Sequence, residues 1–312
     1  TNAGGMHCVK YGVTRDFVRG LEVVLANGEV IRTGQATVKG VAGLDLTGLM
    51  VGSEGTLGII TEATLGLIPQ PGPKRGLLAT FPNTATAMHG ANLVVGSPQR
   101  PATVEFIDST VIGAINAYRP EVALPEGAQG VLIVLTDSLC GAEQDLAAYR
   151  KLLEQAGAEQ IITAHDEDEV AQIMAARRLL NPAMRKLRGD SLDEDVAVPR
   201  SKLPQLLAEL EKLASELNLP IGTAGHIGDG NLHPVIAYDS SDDDQARRAQ
   251  AGHLRIMELA LDLGGTITGE HGIGLAKREM LEPELGSGLL RIQQQIKDAL
   301  DPKGILNPGK KL

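Results

Sequence analysis

Cysteine is scarce in this chain: Cys8 and Cys140 are the only two among 312 residues. That excludes a disulfide framework, and neither belongs to a C-x-x-C pair. Two thiols also cannot ligate a four-cysteine iron–sulfur cluster within the chain. Such usage points to a reducing, cytoplasmic compartment. Basic charge is short as well. Lys and Arg number 29 against 39 Asp and Glu, a formal net charge of −10 at pH 7, so the basic face that nucleic acid asks for is missing. An acidic chain that binds an anionic substrate must concentrate its few cations locally. No apolar run approaches the ~18 residues of a membrane helix; the longest clean one, Val131–Leu135, reads as a strand. No transmembrane segment is therefore expected. Neither G-x-G-x-x-G between a strand and a helix nor a Walker loop occurs, which removes the Rossmann and P-loop readings. A starting Met, a signal peptide and a targeting segment are lacking too. The chain opens at Thr1-Asn2-Ala3-Gly4-Gly5, already inside what reads as a functional loop, and is expected to be a piece of something longer.

At 43% hydrophobic and 22% charged residues, the chain is long and apolar enough for two domains with their own cores. Up to Pro73 it is Gly-rich and β-patterned. Leu21–Leu25 and Val30–Arg32 flank Asn27-Gly28 and read as a hairpin. Glycines at 48, 52, 55 and 58 precede a strand running through Leu67. Pro69, Pro71 and Pro73 then mark a domain boundary. Beyond it, strands are expected at 76–81, 103–106, 130–136, 160–163 and 194–198. Helices are expected at 84–95, 110–116, 142–156, 201–217 and from 167 to about 186, the last broken near Pro182. This order predicts an α+β fold, an antiparallel sheet covered by helices on one face, of ferredoxin-like type. A helix over 245–263, a short strand over 265–268 and an amphipathic helix over 289–300 complete the reading.

Two short stretches organise the chemistry: His226-Ile227-Gly228-Asp229-Gly230-Asn231-Leu232-His233 and Gly269-Glu270-His271-Gly272. The first reads as strand, tight turn at Asp229-Gly230, strand, which brings His226 and His233 to the same side of the turn. Glu270 follows a helix and a β-favouring run, so it can arrive from a neighbouring strand end. Two imidazoles and a carboxylate make a 2-His-1-carboxylate divalent-metal site with positions open for substrate. His271, beside a ligand, is then placed to move a proton. A histidine in a Gly-rich hairpin is also often a turn or packing residue, but four such groups fall together in a chain with only seven His. Thr1–Gly5 and Gly52–Thr61 read as loops where backbone approaches a ligand closely. Successive N–H groups there suit a pyrophosphate, though either loop alone is equally a turn cluster.

Thr1–Gly5, Gly52–Thr61, Gly225–His233, Gly269–Gly272 and Ile305-Leu306-Asn307-Pro308-Gly309-Lys310, in this order, resemble the FAD-linked 2-hydroxy-acid oxidases of the vanillyl-alcohol-oxidase type. Within them the likeness is to the branch of the glycolate oxidase flavin subunit, D-lactate dehydrogenase and D-2-hydroxyglutarate dehydrogenase. The resemblance implies that residues 1–72 are the C-terminal half of a two-part FAD-binding domain. It makes 73–265 the cap, or substrate, domain, and 266–312 a catalytic segment with a return to the FAD domain. The family's FAD domain begins with a further β-rich half upstream, which this sequence does not contain, so the piece alone is expected to hold FAD weakly or not at all and to be inactive by itself. Few aromatic surfaces are at hand to cover a flavin, with no Trp and three Phe.

By the same resemblance Thr1, Asn2, Ala3, Gly5, Gly52, Glu54, Gly55, Gly58, Ile59, Ile60 and Asn307 bind FAD. His226, His233 and Glu270 hold a divalent metal, Zn or Mn, and His271 accepts the proton. Arg177 clamps the substrate carboxylate, for which a planar guanidinium is suited; the bland alternative for Arg177 and Arg178 is a solvated helix face. Asn231 either orients substrate or satisfies the turn. Where the D-2-hydroxyglutarate branch carries a lysine for a second carboxylate, this chain reads Leu192-Asp193-Glu194-Asp195-Val196, which favours glycolate or D-lactate. An iron–sulfur electron-transfer subunit is the implied partner, with any membrane attachment peripheral and through partner subunits. Two rival readings stand beside this one: a flavin-free metallohydrolase using the same His and Glu with a bound water, and a non-catalytic subunit of an oxidase complex.

Overall fold

The computed structural model describes residues 1–312 and divides them into two compact units. The first comprises Thr1–Gly5, Gly12–Pro69 and Ile267–Leu312; the second comprises Met6–Tyr11 and Gln70–Thr266. Met6–Tyr11, expected with the first segment, thus packs with the second unit. No helix is long and apolar enough to cross a membrane.

In the first unit, β1 (Val18–Val24), β2 (Val30–Gly34) and β3 (Ile59–Leu65) form an antiparallel sheet in the order β2-β1-β3. Its alternation is legible in β1. Leu21 and Val23 face a core with Met50 and Leu57, onto which Ile296 and Leu300 of the helix Leu281–Leu300 pack. Gly58 is a packing glycine, because a Cβ there would stand 2.4 Å from Val23 Cγ1. Strand β3 is exposed along its whole length, Ile59 and Ile60 included. The last helix begins eight residues before the expected Leu289, with one non-helical residue, Gly286, inside it.

The second unit is built on an eight-stranded sheet whose paired strands all run antiparallel. It contains β4 (Arg75–Phe81), β5 (Thr103–Asp108), β6 (Gly130–Thr136), β7 (Gln160–Ala164), β8 (Asp190–Asp193), β9 (Val196–Ala197), β10 (Ile221–His226) and β11 (Asn231–Tyr238). The order β7-β4-β6-β5, with helices Thr84–Val95 and Ala142–Gln155 as crossovers, is the expected ferredoxin-like arrangement. The sheet then continues through β10, β11 and β8.

Helices cover both faces, not one. On one side, Gly90 of the first crossover helix lies against both Phe81 of β4 and Leu153 of the second crossover helix. On the other, Leu78, Val131, Ile133 and Leu135 pack with Val111, Ile115, Val170, Met174 and Met184. That is why β6, Gly-Val-Leu-Ile-Val-Leu-Thr, shows no alternation and is buried throughout. Each such buried aliphatic side chain contributes roughly 1.5–3 kcal/mol of transfer free energy.

Three expected elements differ. The helix after residue 167 ends at Arg177, and a second runs from Leu180 to Arg188 with Pro182 in its first turn, where a missing N–H is tolerated. The strand expected at 194–198 is interrupted: β8 and β9 continue one register along β11, but Glu194 lies opposite Pro234, which has no N–H to give the ladder. The strand expected at 265–268 is reduced to one bridge, Thr266 with Ala197. Side chains take the Ile267 backbone instead, Glu284 accepting from its N–H and Lys277 donating to its carbonyl.

Candidate active site

In the second unit, β10 and β11 form the hairpin that carries both histidines. Its register pairs Ala224 with His233 and His226 with Asn231. Because side chains alternate along a strand, Ala224, His226, Asn231 and His233 share one face. The two imidazoles lie edge to face, with centroids 5.1 Å apart. The turn takes four residues, 227–230, not Asp229-Gly230 alone. Gly230 is required there: its φ is +89°, and a Cβ would stand 2.2 Å from the Val198 carbonyl oxygen. Burial pushes the Asp229 carboxyl up to about 6, against the opposing pull of His226 and of the Asn231 N–H.

Glu105, on β5 and fully buried, was not singled out in the sequence. Its Oε1 lies 2.5 Å from His226 Nδ1, and its Oε2 accepts from Arg177 Nε at 2.7 Å. Arg177 is thus no solvated helix residue; its side chain is 14% exposed. Arg178 faces solvent and reaches only the Ala171 carbonyl. The signal for Glu105 was present, since it is the one charge inside the apolar run Thr103–Ile107. Glu194 and Asp195 also turn inward, whereas Asp193 is exposed. Asp195 accepts from Asn231 Nδ2 at 2.8 Å and lies 3.8 Å from His233 Nδ1, while Glu194 lies 2.6 Å from His253 Nδ1. Asn231 also donates to the Val196 carbonyl, so its amide nitrogen holds β9 beside the hairpin.

The first unit holds the glycine loops, the C-terminal tail, Glu270 and His271. Glu54 has a left-handed φ of 54°, rare without a glycine. Four contacts hold it there. Its carboxylate accepts from Ile273 N at 3.0 Å, Gly274 N at 2.9 Å and Lys311 Nζ at 3.2 Å, and its carbonyl accepts from Asn307 Nδ2. Burial alone would raise the Glu54 carboxyl; the two N–H donors and Lys311 override it and hold the carboxyl below its usual range. Gly272, at φ +94°, leaves room for this carboxylate, since a Cβ would meet Glu54 Oε1 at 2.8 Å. Glu270 Oε2 accepts from Gly5 N at 2.7 Å, and His271 is exposed. Asn2 takes the Arg15 N–H and lies against Gly52, while Ala3 accepts from Thr14 N.

Residues 70–311 match the family described as FAD linked oxidases, C-terminal domain, and residues 1–34 match an FAD binding domain. This chain belongs to the FAD-linked oxidases. Glycolate oxidase subunit GlcD of Bacillus subtilis is 41% identical over 310 residues, covering 99% of this chain and 66% of that protein. Its Escherichia coli namesake is 33% identical, covering 100% and 62%, and the probable mitochondrial D-lactate dehydrogenase of Danio rerio is 35% identical, covering 100% and 63%. The chain therefore spans less than two thirds of the length of these relatives. Among solved structures, p-cresol methylhydroxylase with substrate bound superimposes with a TM-score of 0.72 at 19% identity, covering 95% of this chain and 65% of that one. An alkyldihydroxyacetonephosphate synthase gives 0.63 at 17%, covering 99% and 56%. These two likenesses show the fold.

The glycine loops of this FAD-linked oxidase chain fit the cofactor that its family is named for. Nothing stands within 4 Å of a Cβ at Gly5, and only Asn307 approaches one at Gly55, so both loops leave backbone accessible to a phosphate-bearing cofactor. A carboxylate at His226 Nδ1 favours, for the neutral ring, a proton on Nδ1 and a lone pair on Nε2, the form in which an imidazole can ligate a metal.

Proposed function

We propose that the protein containing this chain is an FAD- and divalent-metal-dependent dehydrogenase of a small 2-hydroxy acid, glycolate or D-lactate, yielding the 2-oxo acid. Family membership and the names of the relatives support the class of reaction. The observation that carries the finer reading is the buried series Arg177–Glu105–His226 beside His233. It combines a cation for a carboxylate with an imidazole prepared to ligate, the two features an α-hydroxy carboxylate needs.

In this reading FAD, when bound, accepts the hydride from C2. His226, His233 and Glu270 would hold the divalent ion, Zn or Mn, whose Lewis acidity would lower the pKa of the substrate hydroxyl. Arg177 Nε is committed to Glu105, which leaves its two Nη groups to receive the substrate carboxylate in a planar fork. His271 takes the hydroxyl proton, a task suited to an imidazole near neutral pH. Asn231, its nitrogen committed to Asp195 and Val196, would offer only its oxygen to substrate. Thr1, Asn2, Ala3, Gly5, Gly52, Glu54, Gly55, Gly58, Ile59, Ile60 and Asn307 would line the flavin. An iron–sulfur protein is proposed as the electron acceptor, in keeping with the relatives named as subunits.

The test is the full-length His233→Ala variant, assayed with a panel of D- and L-2-hydroxy acids and an artificial acceptor. It should lose bound metal and activity while keeping its flavin spectrum. Stoichiometric metal in that variant, by elemental analysis, would overturn the ligand assignment.

A further inference from the structure

We infer that Glu105 is a positioning residue that sets the tautomer of His226 and the orientation of Arg177 together, so that metal affinity and substrate affinity depend on one buried carboxylate. The inference rests on the ligand reading above and adds to it a residue that neither periodicity nor motif identified.

The geometry is specific. Glu105 is 0% exposed at an interior position of β5, where a charge is costly unless each oxygen is satisfied. Each oxygen has one partner: Oε1 faces His226 Nδ1 at 2.5 Å and Oε2 faces Arg177 Nε at 2.7 Å. A simple ion pair would use Arg177 alone, and bidentately, through Nε and one Nη. Here the fork is split. Only Nε is spent on Glu105, so the pair is not bidentate and the Nη groups are not used on this carboxylate. The other oxygen fixes the proton of His226 on Nδ1, which makes Nε2 the ligating nitrogen.

The same geometry says why only a carboxylate serves. Gln keeps the length but offers one accepting oxygen and one NH2. If its oxygen faces Arg177, the NH2 meets His226 Nδ1 and drives the ring proton to Nε2, where it blocks ligation. If its oxygen faces His226, the NH2 opposes Arg177 Nε–H, and the guanidinium must turn away. Either orientation damages one function.

The experiment compares wild-type, Glu105→Gln, Glu105→Asp and His233→Ala holoproteins, stripped with a chelator and titrated with Zn2+ and then Mn2+ against a fluorescent indicator. Glu105→Gln should weaken metal binding ~10–100-fold or raise KM for the 2-hydroxy acid on the order of tenfold, with flavin content unchanged. Imidazole 15N NMR of the apo-protein supplies a signature that mere packing would not move: His226 protonated at Nδ1 in wild type and shifted toward Nε2 in Glu105→Gln whenever metal affinity falls. Where Glu105→Gln does not fold, Glu105→Asp decides, because the shorter carboxylate cannot reach both partners and must lose at least ~fivefold in metal affinity or KM. Metal affinity, KM and tautomer all at wild-type values in whichever variant folds reject the role of Glu105 alone, provided His233→Ala has lost its metal. Metal retained in His233→Ala as well rejects the ligand set and this inference with it.

Discussion

Glu54→Gln removes a charge from the first unit without changing its shape. In wild type the Glu54 side chain is 10% exposed and accepts from the N–H groups of Ile273 and Gly274 and from Lys311 Nζ. Gln keeps one accepting oxygen, so one backbone N–H faces an NH2 and loses its partner. A hydrogen bond to a charged, mostly buried group is worth about 1.5–3 kcal/mol, whereas the partly exposed Lys311 pair adds only ~0–1 kcal/mol. The expected loss is about 2 kcal/mol, roughly 4–8 °C in melting temperature. The pH dependence has a definite sign. Because the folded carboxyl is held below its usual 4.5, its stabilisation is present above that value and is lost as pH falls through the folded value. Wild type and Glu54→Gln should therefore differ at pH 7 and converge in acid. Calorimetry across pH, with hydrogen exchange at the Ile273 and Gly274 amides, reads both effects. A variant within 0.5 kcal/mol of wild type at pH 7, with protection at both amides intact, would refute the reasoning.

Two further outcomes are expected. His271→Gln should retain metal and flavin yet slow flavin reduction by ~10²–10⁴; stopped-flow reduction within about threefold of wild type removes it from the role of base. Gly230→Ala sets a Cβ 2.2 Å from the Val198 carbonyl at a φ of +89°. It should cost at least ~2–3 kcal/mol and weaken metal binding by displacing the hairpin, whereas normal stability and normal metal binding would show the turn to be tolerant.

The elements that sequence placed well are those whose signals lie within a few residues. Helix Thr84–Val95 starts where Asn83 accepts from Thr86 N, and Asp108, Asp166 and Asp242 cap their helices in the same local way. The uninterrupted apolar run of β6 located a central strand, but it could not say that helices lie on both faces. That is a tertiary fact, and alternation absent from one strand is its only trace. The break between β8 and β9 is different. It follows from Pro234 on the facing strand, a residue visible in the sequence whose partner is known only once the register is fixed.

The site divides along the same line. His226 and His233 stand seven residues apart in one hairpin, so pattern alone set them on a common face. Glu105 and Arg177 lie 121 and 49 residues from His226 and meet it only through the sheet order β5-β10 and the helix that ends at Arg177. Their signals in the sequence are separate, a carboxylate in an apolar strand, which was not singled out, and an arginine on a mixed helix. Neither signal named the other. A buried charge has to be answered by a partner, and the lone Glu in Thr103–Ile107 carries no local sign of where that partner comes from. That two partners come, one from each half of the proposed chemistry, makes a single carboxylate the shared support of the proposed metal ligand and the proposed substrate clamp. It also makes Glu105 the position where stability and function are least separable: leaving Arg177 buried without its acceptor costs about 3–5 kcal/mol, so an apolar replacement would unfold the site before it could report on the reaction.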